Sequence, residues 1–188
     1  GDADSQQFGL TVNTGYELGA GELYGFITYS TRDNESAAFF RHNANAGGNP
    51  VLQDGDATIP AGFLPKINTT IDDISYNFGY KTEFDNDSSL DLSYTYGENS
   101  IDYTTSDTIN GSYANFLRYD QGLSAADIRA TIPRQGYAYG MELSLQTINL
   151  DFTQNFDDYS LAMGAEIRTD EYRILEGSEY AYRDYDTN

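Results

Sequence analysis

The sequence has no cysteine and no tryptophan, a single histidine, and ten lysines and arginines against thirty acidic residues. Without cysteine there is no disulfide framework and no thiolate metal site. That absence does not define a compartment, because it suits the cytosol and many outer-membrane barrels alike. The shortage of basic residues leaves a net charge of −20. This excludes the usual nucleic-acid binder, whose basic face neutralises phosphates, and a polybasic patch docked on an anionic leaflet. No stretch approaches the roughly 18 apolar residues of a transmembrane helix. The opening Gly1-Asp2-Ala3-Asp4-Ser5 has neither the basic nor the apolar region of a signal peptide, so the chain reads as mature or as an internal piece.

What the sequence does have is tyrosine and phenylalanine, 17 and 10 of them, in alternating patterns. Tyrosine favours strands and also sits well where apolar surroundings meet water. The composition suits a soluble β protein and a membrane-interface one equally. Six runs alternate with the period of two that marks a strand. They fall near residues 7–18, 22–33, 71–84, 88–105, 140–157 and 159–176. In the third, Ile74, Tyr76, Phe78, Tyr80 and Phe84 oppose Ser75, Asn77, Lys81 and Glu83. In the fourth, Leu90, Leu92, Tyr94 and Tyr96 oppose Asp91, Ser93 and Thr95. Such runs exceed the usual strand of about 5 to 6 residues and reach the roughly 9 to 11 of a tilted membrane strand.

The connections alternate in length. Runs one and two, three and four, and five and six are joined by a few Gly, Asn, Asp and Ser residues. The long segments 34–70 and 106–139 separate the pairs, and loops of that length are uncommon in compact domains unless functional. Short turns at one end and long loops at the other match the layout of bacterial outer-membrane barrels. The fold class expected is therefore all-β: an antiparallel transmembrane β-barrel segment of about six long strands, with short periplasmic turns and long extracellular loops. Alternation alone does not say which face is wet. A soluble sandwich buries its Leu/Phe/Tyr face, whereas a membrane barrel turns it to lipid.

Several segments resemble the barrel of TonB-dependent receptors. Leu23–Arg41 (LYGFITYSTRDNESAAFFR) is similar to a receptor strand running into an extracellular loop. Gly62–Ile67 (GFLPKI) and Asp72–Ser75 (DDIS) resemble the end of that loop and its return strand. Leu90–Asn99 (LDLSYTYGEN), Leu150–Phe156 (LDFTQNF) and Leu161–Tyr172 (LAMGAEIRTDEY) resemble the strands that follow. The resemblance implies a 22-stranded barrel, a plug domain inside it, and energy coupling through the TonB complex, none of whose coupling elements is visible in this sequence. It implies a bacterial outer-membrane location, contact with the lipid bilayer and lipopolysaccharide, and uptake of a scarce nutrient such as a ferric siderophore. Six strands cannot close such a barrel, and open edges are not tolerated in lipid. Further strands or partner chains are expected along the edges.

The candidate functional residues lie in the long segments. Arg41 and His42 stand in the first, and Arg118, Tyr119, Arg129 and Arg134 in the second, where three of the ten basic residues gather. Arginine beside aromatics can grip an anionic ligand through bidentate bonds and stacking; the same residues can equally order their loop. Acidic pairs could hold Ca²⁺ through oxygen ligands. Asp54 and Asp56 are the best placed, in a loop long enough to wrap an ion, yet no EF-hand spacing occurs and turns favour Asp on their own account. No cofactor other than Ca²⁺ at this weak site is expected. Ser124 to Arg129 reads as a helical turn with Ser124 as N-cap and Asp127 three residues on. No nucleotide-binding glycine motif is present, nothing around His42 suggests a nucleophile, and an enzyme is not expected. The main alternative is a soluble β-sandwich that binds carbohydrate or Ca²⁺; a small, self-contained outer-membrane barrel is another.

Overall fold

A computed structural model describes residues 3–43 and 47–186. The protein is all-β, a single six-stranded antiparallel sheet in sequential order: β1 (Asp4–Leu18), β2 (Gly21–Ala37), β3 (Lys66–Phe84), β4 (Ser88–Ser106), β5 (Gly136–Asn155) and β6 (Ser160–Glu176). The sheet is open. β1 and β6 each pair on one side only, and every residue of both is exposed.

The short turns follow from their residues. Gly19 turns β1 into β2 at φ 64°, a conformation glycine adopts without steric cost. Asp87 does the same between β3 and β4 at φ 58°, where Asp is among the few tolerated side chains. Its N–H donates to the Phe84 carbonyl at 3.2 Å. Between β5 and β6 the Phe156 N–H donates to the Tyr159 carbonyl at 2.8 Å, and the two rings stack 4.5 Å apart.

At the loop end the ladders run further than alternation suggests. β3 begins at Lys66 rather than near 71, and β5 at Gly136 rather than near 140. Asn68, Thr69 and Thr70 read as loop by composition, but each has a partner, opposite Glu35, Asn34 and Asp33 of β2. The segments between strands shrink to 38–65 and 107–135. The second holds helices α1 (Gly111–Tyr119) and α2 (Ala125–Thr131), and a short α3 (Glu179–Tyr182) follows β6.

Among the described residues, no continuous core backs either face of the sheet. Its large apolar side chains stand exposed, among them Phe8, Leu10, Ile27, Phe78, Leu92, Ile148 and Ile167. Directly opposed residues share a face, so the register shows how these side chains are arranged. One face carries Phe8–Val12 of β1, Ile27 and Tyr29, Ile74–Tyr80, Leu90–Tyr96, Ile148–Phe152 and Leu161–Ile167 as a band next to the turns. Toward the loops the same face turns acidic, with Asp33, Glu35, Asp72, Glu98, Asp102, Glu142 and Glu171. On β3 to β6 the opposite face does the reverse. It is polar beside the turns (Asn77, Asp91, Asn149, Glu166) and apolar toward the loops (Ile67, Ile71, Ile101, Tyr103, Met141, Leu143, Ile174).

The edge of the apolar band slants. The last apolar residue before the acidic region is Phe8, Tyr29, Ile74, Tyr96, Ile148 and Ile167 on successive strands. Referred through the register to β3, these stand level with Asp72, Ile74, Ile74, Tyr76, Phe78 and Phe78. The edge therefore moves in one direction, by about 1.2 residues per strand. With about 3.3 Å per residue and about 4.8 Å between strands, it makes an angle of about 40° with the hydrogen-bonding direction.

Candidate functional site

Among the described residues, the buried apolar side chains all lie outside the strands, where the two long segments pack on each other as a cap. The first segment is held by its own backbone and two buried polar residues. Val51 and Ala57 form a bridge around Gly55, whose φ of 90° closes the turn. Thr58 donates from N and Oγ1 to the Pro50 carbonyl at 2.8 and 2.7 Å. Asn49, wholly buried, accepts from the Ile59 N–H and donates to the Ile59 carbonyl, both at 2.9 Å. Such pairing is what a buried amide requires.

In the second segment Asn110 caps α1 by accepting from the Tyr113 N–H, and Ser124 caps α2 by accepting from the Asp127 N–H, the cap that the sequence suggests. These helices then bury apolar side chains against the first segment. Leu52 packs with Leu117, Ala125 and Ile128; Phe63 packs with Ile109, Ala114 and Ile132.

Each residue singled out in the sequence has a definite place. Arg129 clamps the two segments together. Its Nη1 donates to Asp54 Oδ2 at 2.5 Å and its Nη2 to Asp54 Oδ1 at 3.1 Å and to the Ala57 carbonyl at 3.0 Å. The guanidinium bond holds the Asp54 carboxyl below its ordinary pKa, and in return Asp54 raises that of Arg129. The Arg129 Nε is buried without a hydrogen-bond partner among the described residues. Thus the candidate Ca²⁺ ligand Asp54 and the candidate substrate residue Arg129 are occupied with each other, while the Asp56 N–H donates to Asp54 Oδ1 at 3.1 Å. Among the described residues, no group of three or more metal-ligating side chains converges.

Arg118 also holds the cap, donating to the Val51 carbonyl at 2.7 Å with its guanidinium 4.6 Å from the ring centre of Tyr119, which is itself exposed. The Arg134 guanidinium lies 5.7 Å from the ring centre of Phe63. Arg41 pairs with Phe63 through its backbone, at 2.7 and 3.0 Å. His42 is exposed with its ring edge-on to Phe40 at 5.1 Å. The structure therefore brings Arg41 and Arg134 together around Phe63 and places Arg118 and Arg129 against the backbone of the Val51–Ala57 turn.

Sequence reasoning missed the segment after β6. Tyr180 accepts from the Asn110 N–H at 2.9 Å and donates to the Pro133 carbonyl at 2.7 Å. The Asn110 amide donates to the Tyr180 and Arg183 carbonyls, both at 2.9 Å. Burial raises the Tyr180 pKa. Tyr113, Phe116, Tyr180 and Tyr185 form an aromatic cluster with centroids 4.8 to 5.9 Å apart. The run of tyrosines at 180, 182 and 185 was the available signal, but nothing in the sequence gives its partner, about 70 residues earlier.

Between these parts lies a cleft of about 720 Å³, lined by Arg41, Phe63, Thr105, Asn110, Tyr180 and Arg183 among others. Its lining mixes two arginines, the carboxylate of Asp184, hydroxyls and aromatic rings. No family model, no curated protein and no solved structure matches the chain. Among the described residues no helix is long and apolar enough to cross a membrane, which says nothing about strands.

Proposed function

We propose that the chain is part of the wall and outer loops of a TonB-dependent outer-membrane receptor that takes up a scarce nutrient such as a ferric siderophore. The observation that carries the reading is the slanted edge of the apolar band. Membrane strands tilt by about 35 to 45° from the barrel axis, so a flat bilayer surface crosses the sheet obliquely to its register. The angle of about 40° in this sheet fits that geometry. On β3 the face continues past Tyr80, with Thr82 as its one polar member, to Phe84, and Ile74 to Phe84 covers about 33 Å of strand. At that tilt it spans about 25 Å of height, the thickness of the apolar band of such barrels.

The exchange of polarity between faces on β3 to β6 argues in the same direction. A sandwich strand keeps one face on the core along its whole length. In the barrel reading the outer face is apolar where it meets lipid and acidic where it stands in water above. The inner face is polar beside the periplasmic turns and apolar below the cap. The bare edges of β1 and β6 require neighbouring strands, since unpaired backbone groups in lipid cost several kcal/mol each. The cap belongs to the extracellular end and supplies ligand capture; the lipid bilayer, lipopolysaccharide and the energy-coupling complex are the partners.

Fractionation of cells carrying the full-length gene tests the reading. The protein should sediment with the outer membrane, resist carbonate extraction and need detergent for release. Recovery as a soluble species in buffer would overturn it.

A further inference from the structure

The cleft beneath the cap opens next to the apolar part of the inner face. Thr105 lines the cleft, and Ile67 is its direct partner in the register. Two residues toward the turns on the same face, Tyr103 stacks on Tyr139 with ring centres 4.7 Å apart. Ile71, Ile101, Met141 and Leu143 continue this surface. Arg41 also lines the cleft, as does the carboxylate of Asp184, and the Arg41 guanidinium has no hydrogen bond or ion pair among the described residues. Arg183 also lines the cleft, but it is paired with Glu179 and lies over Tyr185. A cation without a partner among the described residues in the cleft, and a surface of rings and aliphatic chains adjoining the cleft through Thr105, define a two-part site.

We propose that this cleft binds a small amphipathic organic anion, with its acidic group at Arg41 and its aromatic or aliphatic body on the Ile67–Tyr103–Tyr139 surface. The inference rests on the barrel-wall reading, which makes this face the inner one, and it deepens that reading by naming a ligand class. In a chain of net charge −20, a guanidinium with no partner among the described residues beside an apolar wall is a local exception, and it selects for an anion that long-range charge repels. The cleft volume of about 720 Å³ falls in the range of drug-sized ligands. It admits an aromatic carboxylate of about ten to twenty heavy atoms.

The test uses the full-length protein reconstituted in detergent, with 1-naphthoate and its neutral counterpart 1-naphthamide as probes and binding followed by calorimetry. Wild-type protein should bind 1-naphthoate saturably and the amide more weakly. Arg41→Gln should weaken 1-naphthoate about tenfold or more, the usual range for a charged hydrogen bond, and leave 1-naphthamide unchanged. Tyr103→Ser should weaken both. Heat-dependent gel migration, scored on every sample first, reports barrel folding separately. Folded protein that does not bind 1-naphthoate, or that binds it equally with and without the Arg41 guanidinium, overturns the cleft while leaving the barrel-wall reading standing. Failure of the wild-type protein to fold in detergent overturns the barrel-wall reading itself.

Discussion

Tyr24 of β2 faces Gly79 of β3 across the ladder, and the tyrosine ring lies over the glycine so closely that a Cβ at Gly79 would come within 2.3 Å of the ring and hydroxyl. The notch lets Tyr24 reach across β3 and donate to Asp91 of β4 at 2.7 Å. One register position along, on the other face, Phe78 covers Gly25 in the same way, with a Cβ there 2.7 Å from the ring. Neither glycine has a positive φ, so close approach and not backbone freedom requires them. Aromatic cover of a strand glycine also pins register. Gly79→Ala should therefore cost about 1 to 3 kcal/mol, read by denaturant titration of the refolded protein, and Tyr24→Phe only about 1 kcal/mol for the lost hydrogen bond. Combining Gly79→Ala with Tyr24→Ala should cost less than the sum of the single changes, because the two residues occupy the same space.

The cap should come apart without the sheet. Ile128 is fully buried among Leu52, Leu117 and Ala125, and none of these belongs to a strand. Ile128→Ala should cost about 2 to 5 kcal/mol locally. Limited proteolysis should show faster cleavage within residues 47–65 and 107–135, while the strand content measured by circular dichroism stays the same. Equal loss of both would show that cap and wall form one cooperative unit.

Acid should loosen the same contact. The Asp54 carboxyl is held below its ordinary value of 3.8 by Arg129. A carboxyl with a lowered folded pKa stabilises the fold above its unfolded value, and that contribution disappears as pH falls through the folded one. Protection of the amides in the Val51–Ala57 turn, taken relative to their intrinsic exchange rate at each pH, should therefore be constant near neutrality and fall below about pH 4, and Asp54→Asn should abolish the fall. An unchanged profile in that variant would separate the turn from this ion pair.

Removing the Tyr180 hydroxyl should free the segment after β6. It accepts from the Asn110 N–H and donates to the Pro133 carbonyl, so Tyr180→Phe leaves a part-buried N–H and a carbonyl without partners. A cost of about 1 to 3 kcal/mol is expected, visible as faster hydrogen exchange at residues 178–186 and at Asn110.

Much of the sheet was legible in the chain. The alternation of Ile74 to Phe84 and of Leu90 to Tyr96 gave strands in the observed order, and the Gly and Asp turns gave the hairpins. The ends of the strands were not legible, because Asn68 to Thr70 join the ladder through partners on β2 and not through a pattern of their own. The slanted band was spelled out in the residues too, but a slant is a relation between strands, and it emerges only once the register aligns Phe8 with Asp72 and Ile148 with Phe78. The cap was hidden for a different reason. Asp54 and Arg129 are 75 residues apart; read singly, one suggests a cation ligand and the other an anion clamp, and only their meeting shows that each neutralises the other. Leu52 with Ile128 and Asn110 with Tyr180 are separated in the same way, and no local signal in the sequence joins them.

This chain contributes no cysteine, so with any cysteine elsewhere in the full-length protein replaced, the central claim can be tested one site at a time. Spin labels placed singly at Leu92, Ser93, Ser100 and Ile101 of β4, in full-length protein in lipid bilayers, report contact with lipid through oxygen and with water through a nickel chelate. The account predicts high oxygen and low nickel access at Leu92, and nickel access at Ser100, which lies eight residues along on the same face. Low access to both reagents at Leu92, as in a protein core, or nickel access there equal to that at Ser100, would contradict it.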